Sequence, residues 1–231
     1  MPTISPELAA SVDGVIRSRQ TTRAFRPDEV PRAQLIEILE TARTAPSTFN
    51  TQPWRMHVLM GKAKHSLSEA LVQAHTANTV PPYAAIPSPA PAGCAARQDD
   101  FGRRYYFVLD IDRGDMAARS RQTARNFVFF DAPVGIVFTI DGSLTKHSWL
   151  DYGMFLQNLM IAAHARGLAT CPQVSFVRYQ SVIAAQLDLP ANESVVCGMS
   201  LGYPDRDAAL NHMNMPREPL EVFARWYGLG E

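Results

Sequence analysis

Two arginines and two threonines lie close together near the start of the chain, in the stretch Arg19-Gln20-Thr21-Thr22-Arg23-Ala24-Phe25. A planar guanidinium group can bind phosphate or carboxylate oxygens through two parallel hydrogen bonds, and a hydroxyl adds a further donor. Phe25 can anchor the stretch in the core. Spacing alone favours a solvent-exposed basic turn, because most charged runs are surface features. An anion-binding segment is the alternative interpretation.

Hydrogen-bonding side chains are also concentrated between Pro46 and Pro53, where the chain reads Pro-Ser-Thr-Phe-Asn-Thr-Gln-Pro. The amide and hydroxyl groups can donate and accept hydrogen bonds, and the flanking prolines stiffen the backbone. A stiff loop loses less conformational entropy when a ligand binds, which suits a preorganised binding surface. An ordinary connection between a helix and a strand remains the alternative.

One motif suggests a catalytic serine, but its context does not fit. Gly198-Met199-Ser200-Leu201-Gly202 matches GxSxG after an apolar strand, as a nucleophile elbow would. Pro204 prevents a helix from following the serine, because its ring would clash with the Ser200 carbonyl. The dinucleotide, P-loop and zinc-hydrolase motifs are absent from the sequence, and its six histidines are scattered singly. We therefore expect neither a catalytic side-chain nucleophile nor a metal site.

The composition limits the class of protein. The 231 residues carry 22 Lys+Arg and 22 Asp+Glu, and 46% are hydrophobic, which is typical of a soluble globular protein with one domain over residues 1–231. Without an excess of positive charge, nucleic acid is not an expected partner. The most apolar region, Trp149 to Leu168, contains charged residues, so no membrane span and no membrane partner are expected. The three separated cysteines and the absence of a secretory signal favour a reducing, cytoplasmic location.

Hydrophobic periodicity predicts both helices and strands along the chain. The helices do not alternate regularly with the strands, so the expected fold class is α+β, with a mixed, mostly antiparallel sheet flanked by helices. The predicted helices cover about residues 6–16, 31–45, 62–77, 97–110, 115–130, 148–166 and 179–187, and the predicted strands cover 54–60, 132–140, 169–174 and 194–201.

Two further segments stand apart from this pattern. Residues 79–93 contain five prolines, which disfavour regular structure and indicate an exposed excursion that could act as a lid. Residues 203–231 form a polar arm that ends in the aromatic residues Phe223, Trp226 and Tyr227. Aromatic side chains at the end of an arm favour burial against a partner over exposure to water.

Taken together, these segments resemble the FMN-dependent nitroreductase family, whose members carry R-x-[ST]-x-[KR]-x-F followed by P-S-x-x-N-x-Q-P-W. Both motifs are present, at residues 19–25 and 46–54, and further matches cover nearly the whole chain. The Thr-Cys-Pro-Gln and Arg-Glu-Pro-Leu stretches, at 170–173 and 217–220, are most similar to the nitrobenzoate-reductase branch. The chain departs from the family pattern at Gln20, Thr21 and Met215.

The resemblance implies a homodimer with a domain-swapped C-terminal arm and two FMN sites, each built from both chains. It assigns the phosphate to Arg19, Thr21 and Arg217, and places Arg23 beside N1 of the flavin ring. Pro46, Ser47, Asn50 and Gln52 would reach the ring and ribityl chain of the partner's flavin, and the backbone from Pro172 to Ser175 would donate to flavin N5 and O4. The implied FMN-binding residues are Arg19, Gln20, Thr21, Arg23, Pro46, Ser47, Thr48, Asn50, Gln52, Pro172, Gln173, Val174, Ser175 and Arg217.

The implied activity is a ping-pong reduction in which NADH or NADPH gives hydride to flavin N5 and a nitroaromatic or quinone acceptor is then reduced. Arg103 and Arg104 could bind a substrate carboxylate, although an exposed basic pair on a helix is the simpler interpretation. Two alternatives remain open. One is a flavoprotein of the same fold with another acceptor, such as a deiodinase-like enzyme, and the other is a flavin-binding protein without turnover.

Overall fold

A four-stranded antiparallel sheet with the strand order β1-β2-β4-β3 forms the centre of the fold. The computed structural model describes residues 5–80 and 88–228. All four predicted strands are present within about two residues of their expected bounds, which confirms an α+β fold with a mostly antiparallel sheet. The strands are β1 (Arg55–Leu59), β2 (Val134–Asp141), β3 (Ala169–Gln173) and β4 (Glu193–Gly202).

Helices cover both faces of this sheet. The seven predicted helices are present, and a short eighth helix lies in the C-terminal arm, where none was predicted. Within residues 5–80 and 88–228, none of them is long and apolar enough to cross a membrane. The helices are α1 (Pro6–Ser18), α2 (Arg32–Ala42), α3 (Gly61–Thr76), α4 (Ala92–Val108), α5 (Met116–Ala124), α6 (Lys146–His164), α7 (Gln180–Leu187) and α8 (Leu220–Phe223).

The two faces of the sheet bury two separate hydrophobic clusters. Every residue of β2 except the last is buried, and alternate side chains point to opposite faces. Ile136 and Phe138 pack with α2 and α6 on one face. Val137 faces the other cluster, which contains residues of α3 and α7. This covering of both faces explains why the strand reads as a continuous apolar run in the sequence.

The region before β2 differs from the predicted helix at 115–130. Helix α5 ends at Ala124, and residues 125–131 form 3₁₀ turns with a left-handed backbone at Phe129 (φ 56°) and Phe130 (φ 51°). Both rings, together with that of Phe127, are fully buried. Burial of three aromatic side chains overrides the helical periodicity, because a continuous helix would direct the rings to different sides.

Two glycines on the central strands make room for these aromatic rings. A Cβ on Gly135 of β2 would lie 2.7 Å from the ring of Phe129. A Cβ on Gly198 of β4 would lie 2.7 Å from the ring of Phe176, and the two rings pack against each other with centroids 5.0 Å apart. The rings therefore lie directly on the backbone of the sheet, where only glycine fits.

The proline-rich excursion predicted at 79–93 is shorter than expected at its C-terminal end. Helix α4 begins at Ala92 and not at Arg97, with Pro91 directly before it. Proline is tolerated at a helix start because the first turn needs no backbone donor from it. Residues 81–87, the centre of the predicted excursion, lie outside the described residues. The structure therefore does not test the prediction of a lid.

Helix α1 and the C-terminal arm leave apolar side chains in solvent in a single chain. Helix α1 has the predicted apolar stripe, but Leu8, Val12 and Ile16 are exposed and no residue of the helix is buried. In the arm, Trp226 and Tyr227 are also exposed. Large apolar patches of this kind are typical of surfaces that contact another protein.

The contact between Gly198 and the ring of Phe176 generates a stability prediction. Gly198→Ala is expected to lower the free energy of unfolding by about 1–3 kcal/mol, because the added methyl overpacks the core. Gly102→Ala in α4 is the matched control, since no atom lies within 4 Å of the added Cβ. Thermal unfolding followed by circular dichroism compares the two variants. Equal melting temperatures for Gly198→Ala and the wild type would contradict the packing argument.

Candidate functional site

Residues 19–25 run as an extended strip along the free edge of β3. Thr21 forms a parallel bridge with Thr170, and the Thr22 amide donates a 3.0 Å hydrogen bond to the Thr170 carbonyl. Successive side chains of an extended segment point to opposite sides. Thr22 is therefore buried, while Arg19, Thr21 and Arg23 face the same cavity. This alternation explains why the two arginines and the threonine occur at every second position of the R-x-T-x-R motif.

Asn211, far along the chain, holds the other side of this strip. Its Nδ2 donates to the carbonyls of Ala24 and Asp205, both at 2.8 Å, and its Oδ1 accepts from the Arg23 amide at 2.8 Å. The side chain of Gln20, predicted to bind the cofactor, donates to the Asn211 carbonyl at 2.6 Å. The sequence alone assigned Asn211 no role in the site. The signal that could have identified it is its position in a segment that matches the family pattern.

A cavity of about 700 Å³ lies in front of the strip. The C-terminal segment also lines it, and Arg217 lies close enough to Arg19 for their positive charges to repel each other. The structure thus brings together five of the predicted site residues from the two ends of the chain. The lining residues are the predicted Arg19, Gln20, Thr21, Arg23 and Arg217, together with Ile16, Arg17, Ser18, Phe101, Gln157, Met213, Asn214 and Met215.

The cavity concentrates positive charge. Within residues 5–80 and 88–228, no carboxylate lies within salt-bridge distance of Arg19, Arg23 or Arg217. Burial lowers the pKa of Arg19, and the positive charge of Arg217 lowers it further. Like charges held together in this way favour an anion between them. The donor set of two guanidinium groups and the Thr21 hydroxyl fits a phosphate dianion.

The loop between Pro46 and Gln52 does not line this cavity. The carboxylate of Asp151, at the start of α6, accepts hydrogen bonds from the Thr48 amide (3.0 Å) and hydroxyl (3.3 Å). The Ser47 hydroxyl accepts from the Gln52 amide at 3.0 Å. Asp151 is buried, and sequence reasoning did not assign it to the site. The loop is therefore fixed by its own chain while its outer surface remains free.

The backbone of this loop is strained in a way typical of functional segments. Phe49, Asn50 and Gln52 have left-handed backbones with φ of 51°, 57° and 47°. Non-glycine residues usually avoid this region, yet Phe49 adopts it although the residue is 97% exposed. The side-chain Nε2 of Gln52 donates to the backbone carbonyl and to the side-chain Oδ1 of Asn50, both at 3.2 Å. The loop thus presents an aromatic ring and amide groups outward.

The predicted backbone segment from Pro172 to Ser175 lies at the end of β3 and also does not line the cavity. The Gln173 side chain is buried, donates to the Asn126 carbonyl at 2.7 Å and accepts from the Ser200 hydroxyl at 3.0 Å. Ser200 is thereby engaged inside the sheet, which agrees with excluding it as a nucleophile. The Ser175 hydroxyl oxygen is buried without a hydrogen-bond partner among the described residues.

Arg103 and Arg104, the predicted substrate residues, both bind Asp100 one helical turn away. Arg104 Nε lies 2.7 Å from Asp100 Oδ2, and Arg103 binds the other oxygen. Neither arginine lines the cavity of Arg19. Pairs of this spacing are common on exposed helices, so the structure favours the simpler interpretation of a basic pair. Their contact with a substrate carboxylate stays a prediction.

The arginine strip and the sheet lie within a segment that matches a known family. The model of the nitroreductase family covers residues 16–203. The chain belongs to the nitroreductase family. The matched segment includes β1 to β4 and the arginine strip, whereas Arg217 lies in the arm beyond it. The predicted family resemblance is confirmed.

Family members with assigned activities resemble this chain over nearly its full length. A 4-nitrobenzoate reductase from Pseudomonas putida is 47% identical over 221 residues, covering 96% of this chain and 97% of the relative. A chloronitrobenzene nitroreductase from Comamonas testosteroni is 41% identical over 215 residues, covering 92% and 95%. The crystal structure of the FMN-dependent nitroreductase NfnB from Mycobacterium smegmatis in complex with NADPH has a TM-score of 0.90 at 34% identity, covering 95% and 99%.

The three side-chain hydrogen bonds of Asn211 predict its contribution to stability. Asn211→Ala leaves the Arg23 amide and two carbonyls without this partner, and is expected to cost about 1–3 kcal/mol of unfolding free energy. His212→Ala is the control, because His212 is exposed and its side chain has a single hydrogen bond among the described residues, to the Arg206 carbonyl. Urea denaturation measures the free energy of unfolding of both variants. A loss no larger in Asn211→Ala than in His212→Ala would show that the strip does not depend on this side chain.

Proposed function

We propose that this protein is an FMN-dependent oxidoreductase that uses NADH or NADPH to reduce nitroaromatic or quinone-type acceptors. The observation that carries this proposal is a cavity lined by Arg19, Arg23 and Arg217, none of which has a carboxylate partner among the described residues. The similar NfnB structure, described as FMN-dependent and in complex with NADPH, supports the same cofactor and reductant. The 4-nitrobenzoate reductase supports the acceptor class.

The phosphate of FMN accounts for the pairing of Arg19 with Arg217. A phosphate monoester carries a charge of about −2 near neutral pH, and planar guanidinium groups bind such oxygens through paired hydrogen bonds. Thr21 adds a hydroxyl donor on the same side of the strip. An anion between the arginines would relieve the repulsion that lowers the pKa of Arg19. The two arginines therefore serve binding and not the chemical step.

Arg23 serves a different purpose, because it lies at the other end of the strip from Arg19. We place it beside N1 of the flavin ring, where negative charge develops on reduction. Bound FMN would supply hydride acceptance and donation at its N5 atom. A fixed cation stabilises the reduced form more than the oxidised form and so raises the reduction potential. The backbone after Pro172 would face N5 at the opposite edge of the ring.

The complete site requires a second copy of the chain. The loop carrying Ser47, Asn50 and Gln52 lies outside the cavity in its own subunit, yet it presents polar groups and Phe49 to solvent. Helix α1 and the C-terminal arm also expose apolar side chains that a dimer interface would bury. We infer a homodimer in which each loop completes the partner's flavin site. A swapped arm would place the exposed aromatic residues against the partner.

The remaining assignments follow the same proposal. We treat residues 1–231 as one FMN-binding domain, since the strip that lines the cavity is held by residues from the far end of the chain. Cys94, Cys171 and Cys197 are all free thiols, which supports a reducing cytoplasmic location. The partners proposed are a second copy of the chain and a small aromatic acceptor.

The activity predicts a two-stage colour change. Purified protein is expected to be yellow, to bleach on anaerobic addition of NADH or NADPH, and to regain its colour when 4-nitrobenzoate is added. Absorbance at the flavin band measures both stages. Yellow protein that never bleaches would indicate a flavin-binding protein without turnover. Recovery with other acceptors but not with nitroaromatics would indicate a reductase of the same fold with another substrate.

Mixed dimers test whether each site is built from two chains. Arg217→Ala and Asn50→Ala are each expected to lose FMN as homodimers, because each change affects both sites. When the two variants are coexpressed with different affinity tags and purified through both tags, one site carries both changes and the other carries neither. About half of the sites should then bind FMN, as expected for a symmetric dimer.

The control for this experiment is Arg217→Ala coexpressed with itself under both tags, which should stay empty. Flavin released by denaturation and measured against protein concentration gives the occupancy. Mixed dimers as empty as their parents would show that the loop and Arg217 of one site come from the same chain. A stable monomer that retains FMN in light scattering would contradict the dimer itself.

A further inference from the structure

We propose that Phe101 and Tyr105 are positioning residues that hold the Arg23 guanidinium without neutralising it, and thereby set the reduction potential of the bound flavin. The inference rests on the proposed function, because it concerns the FMN site. Both aromatic residues belong to α4, outside the arginine strip and outside every motif that carried the family resemblance. Neither had a role in the site predicted from sequence.

The first observation is the geometry around Arg23. Its Cζ atom lies 5.4 Å from the ring centroid of Phe101 and 5.4 Å from that of Tyr105. The two residues are one helical turn apart on α4, and their rings are stacked with centroids 5.4 Å apart and an interplanar angle of 17°. Both distances fall within the range of cation–π attraction. Two adjacent rings therefore form a platform for one guanidinium.

The second observation is that this platform is itself fixed. Tyr105 is buried, and its hydroxyl accepts a 2.7 Å hydrogen bond from Gln122 of α5. The backbone amide of Arg23 donates a hydrogen bond to Oδ1 of Asn211. The arginine is thus restrained at its backbone and at its charged group. An arginine without the platform would sample many rotamers across the cavity.

The third observation is that the partners of the Arg23 guanidinium are aromatic rings and not carboxylates. A carboxylate would hold the guanidinium more strongly, but it would cancel the positive charge that the reduced flavin needs. The face of an aromatic ring attracts a cation through its quadrupole and carries no net charge. Arg23 has no carboxylate within salt-bridge distance among residues 5–80 and 88–228. The rings therefore orient the charge and leave all of it available.

The titratable groups around Arg23 support the same reading. Burial raises the pKa of the Tyr105 phenol and raises that of the Cys171 thiol to about 11, although Arg23 opposes both shifts. Both groups are therefore neutral near pH 7. The other charged groups that face this cavity are the cations Arg17, Arg19 and Arg217. Nothing anionic in the described part of the site competes with the flavin for Arg23.

Potentiometric titration of FMN-saturated variants tests the inference. Phe101→Leu is the main variant, because Phe101 is only partly buried and its removal should not unfold the protein. We expect the preference of the site for reduced over oxidised FMN to fall by about 3-fold to 10-fold, and a 10-fold change lowers the midpoint by about 30 mV. Tyr105→Leu should act in the same direction. Tyr105→Phe keeps the ring and should keep the wild-type midpoint.

Two controls separate positioning from general disturbance. Phe107→Leu removes an aromatic ring from the same helix, but Phe107 is 85% exposed and does not line the cavity, so the midpoint should not change. In an Arg23→Ala background, Phe101→Leu should produce no further shift. A further shift of equal size there would show that the ring acts on the flavin directly and would overturn the inference.

The pH dependence of the midpoint gives a second readout. A fixed cation beside N1 favours the deprotonated form of the reduced flavin, so the pH at which the slope of midpoint against pH changes should move upward in Phe101→Leu. If Arg23→Ala lowers the midpoint while Phe101→Leu leaves both midpoint and slope unchanged, the inference fails and the proposed function stands. If Arg23→Ala has no effect, or if the protein cannot be loaded with FMN, the proposed placement fails and the inference fails with it.

Discussion

Holding four guanidinium groups in one cavity, with no carboxylate at salt-bridge distance among the described residues, is unfavourable, because like charges repel and burial removes water from them. The fold sustains this arrangement through backbone contacts that do not depend on the charges. The pairing of Thr22 with Thr170 fixes the strip against β3, and Asn211 fixes its other side. Without these contacts the arginines would separate into solvent. In the function proposed above, this charge density is what selects the phosphate group of FMN.

The local periodicity of the chain predicted all four strands and most of the helical residues, and its largest error lies just before β2. Each strand is predicted from a short apolar run. The order of the strands depends on pairing between distant segments, which no short-range pattern reports. The C-terminal part of the helix predicted at 115–130 is wrong, because the rings of Phe127, Phe129 and Phe130 are all buried, which a continuous helix would not allow. The ring of Phe129 packs against that of Phe176, which lies on Gly198 of the distant strand β4. A local pattern contains no information about such a contact.

The sequence likewise predicted only part of the site. Spacing alone favoured an exposed basic turn, and the resemblance to the family motif assigned Arg19, Thr21 and Arg23 to the site; the extended strip explains their alternate positions. Asn211 and Asp151 were missed, because their importance comes from the remote backbone groups that they bind. The aromatic platform under Arg23 was missed too, since Phe101 and Tyr105 read as ordinary apolar positions of a helix. Residues that bind a ligand directly can be recognised from a sequence motif, whereas the residues that hold those side chains in place are much harder to recognise.

The dependence of the strip on Asn211 also has a consequence for the order in which the protein is made. Arg23 and Asn211 are separated by 188 residues, and Arg26 pairs with the carbonyl of Tyr203. A ribosome therefore synthesises the strip long before the groups that position it. Until residues 203–217 have been made, the arginines have no fixed position. A nascent or truncated polypeptide that lacks residues 203–217 consequently carries the motif without the site.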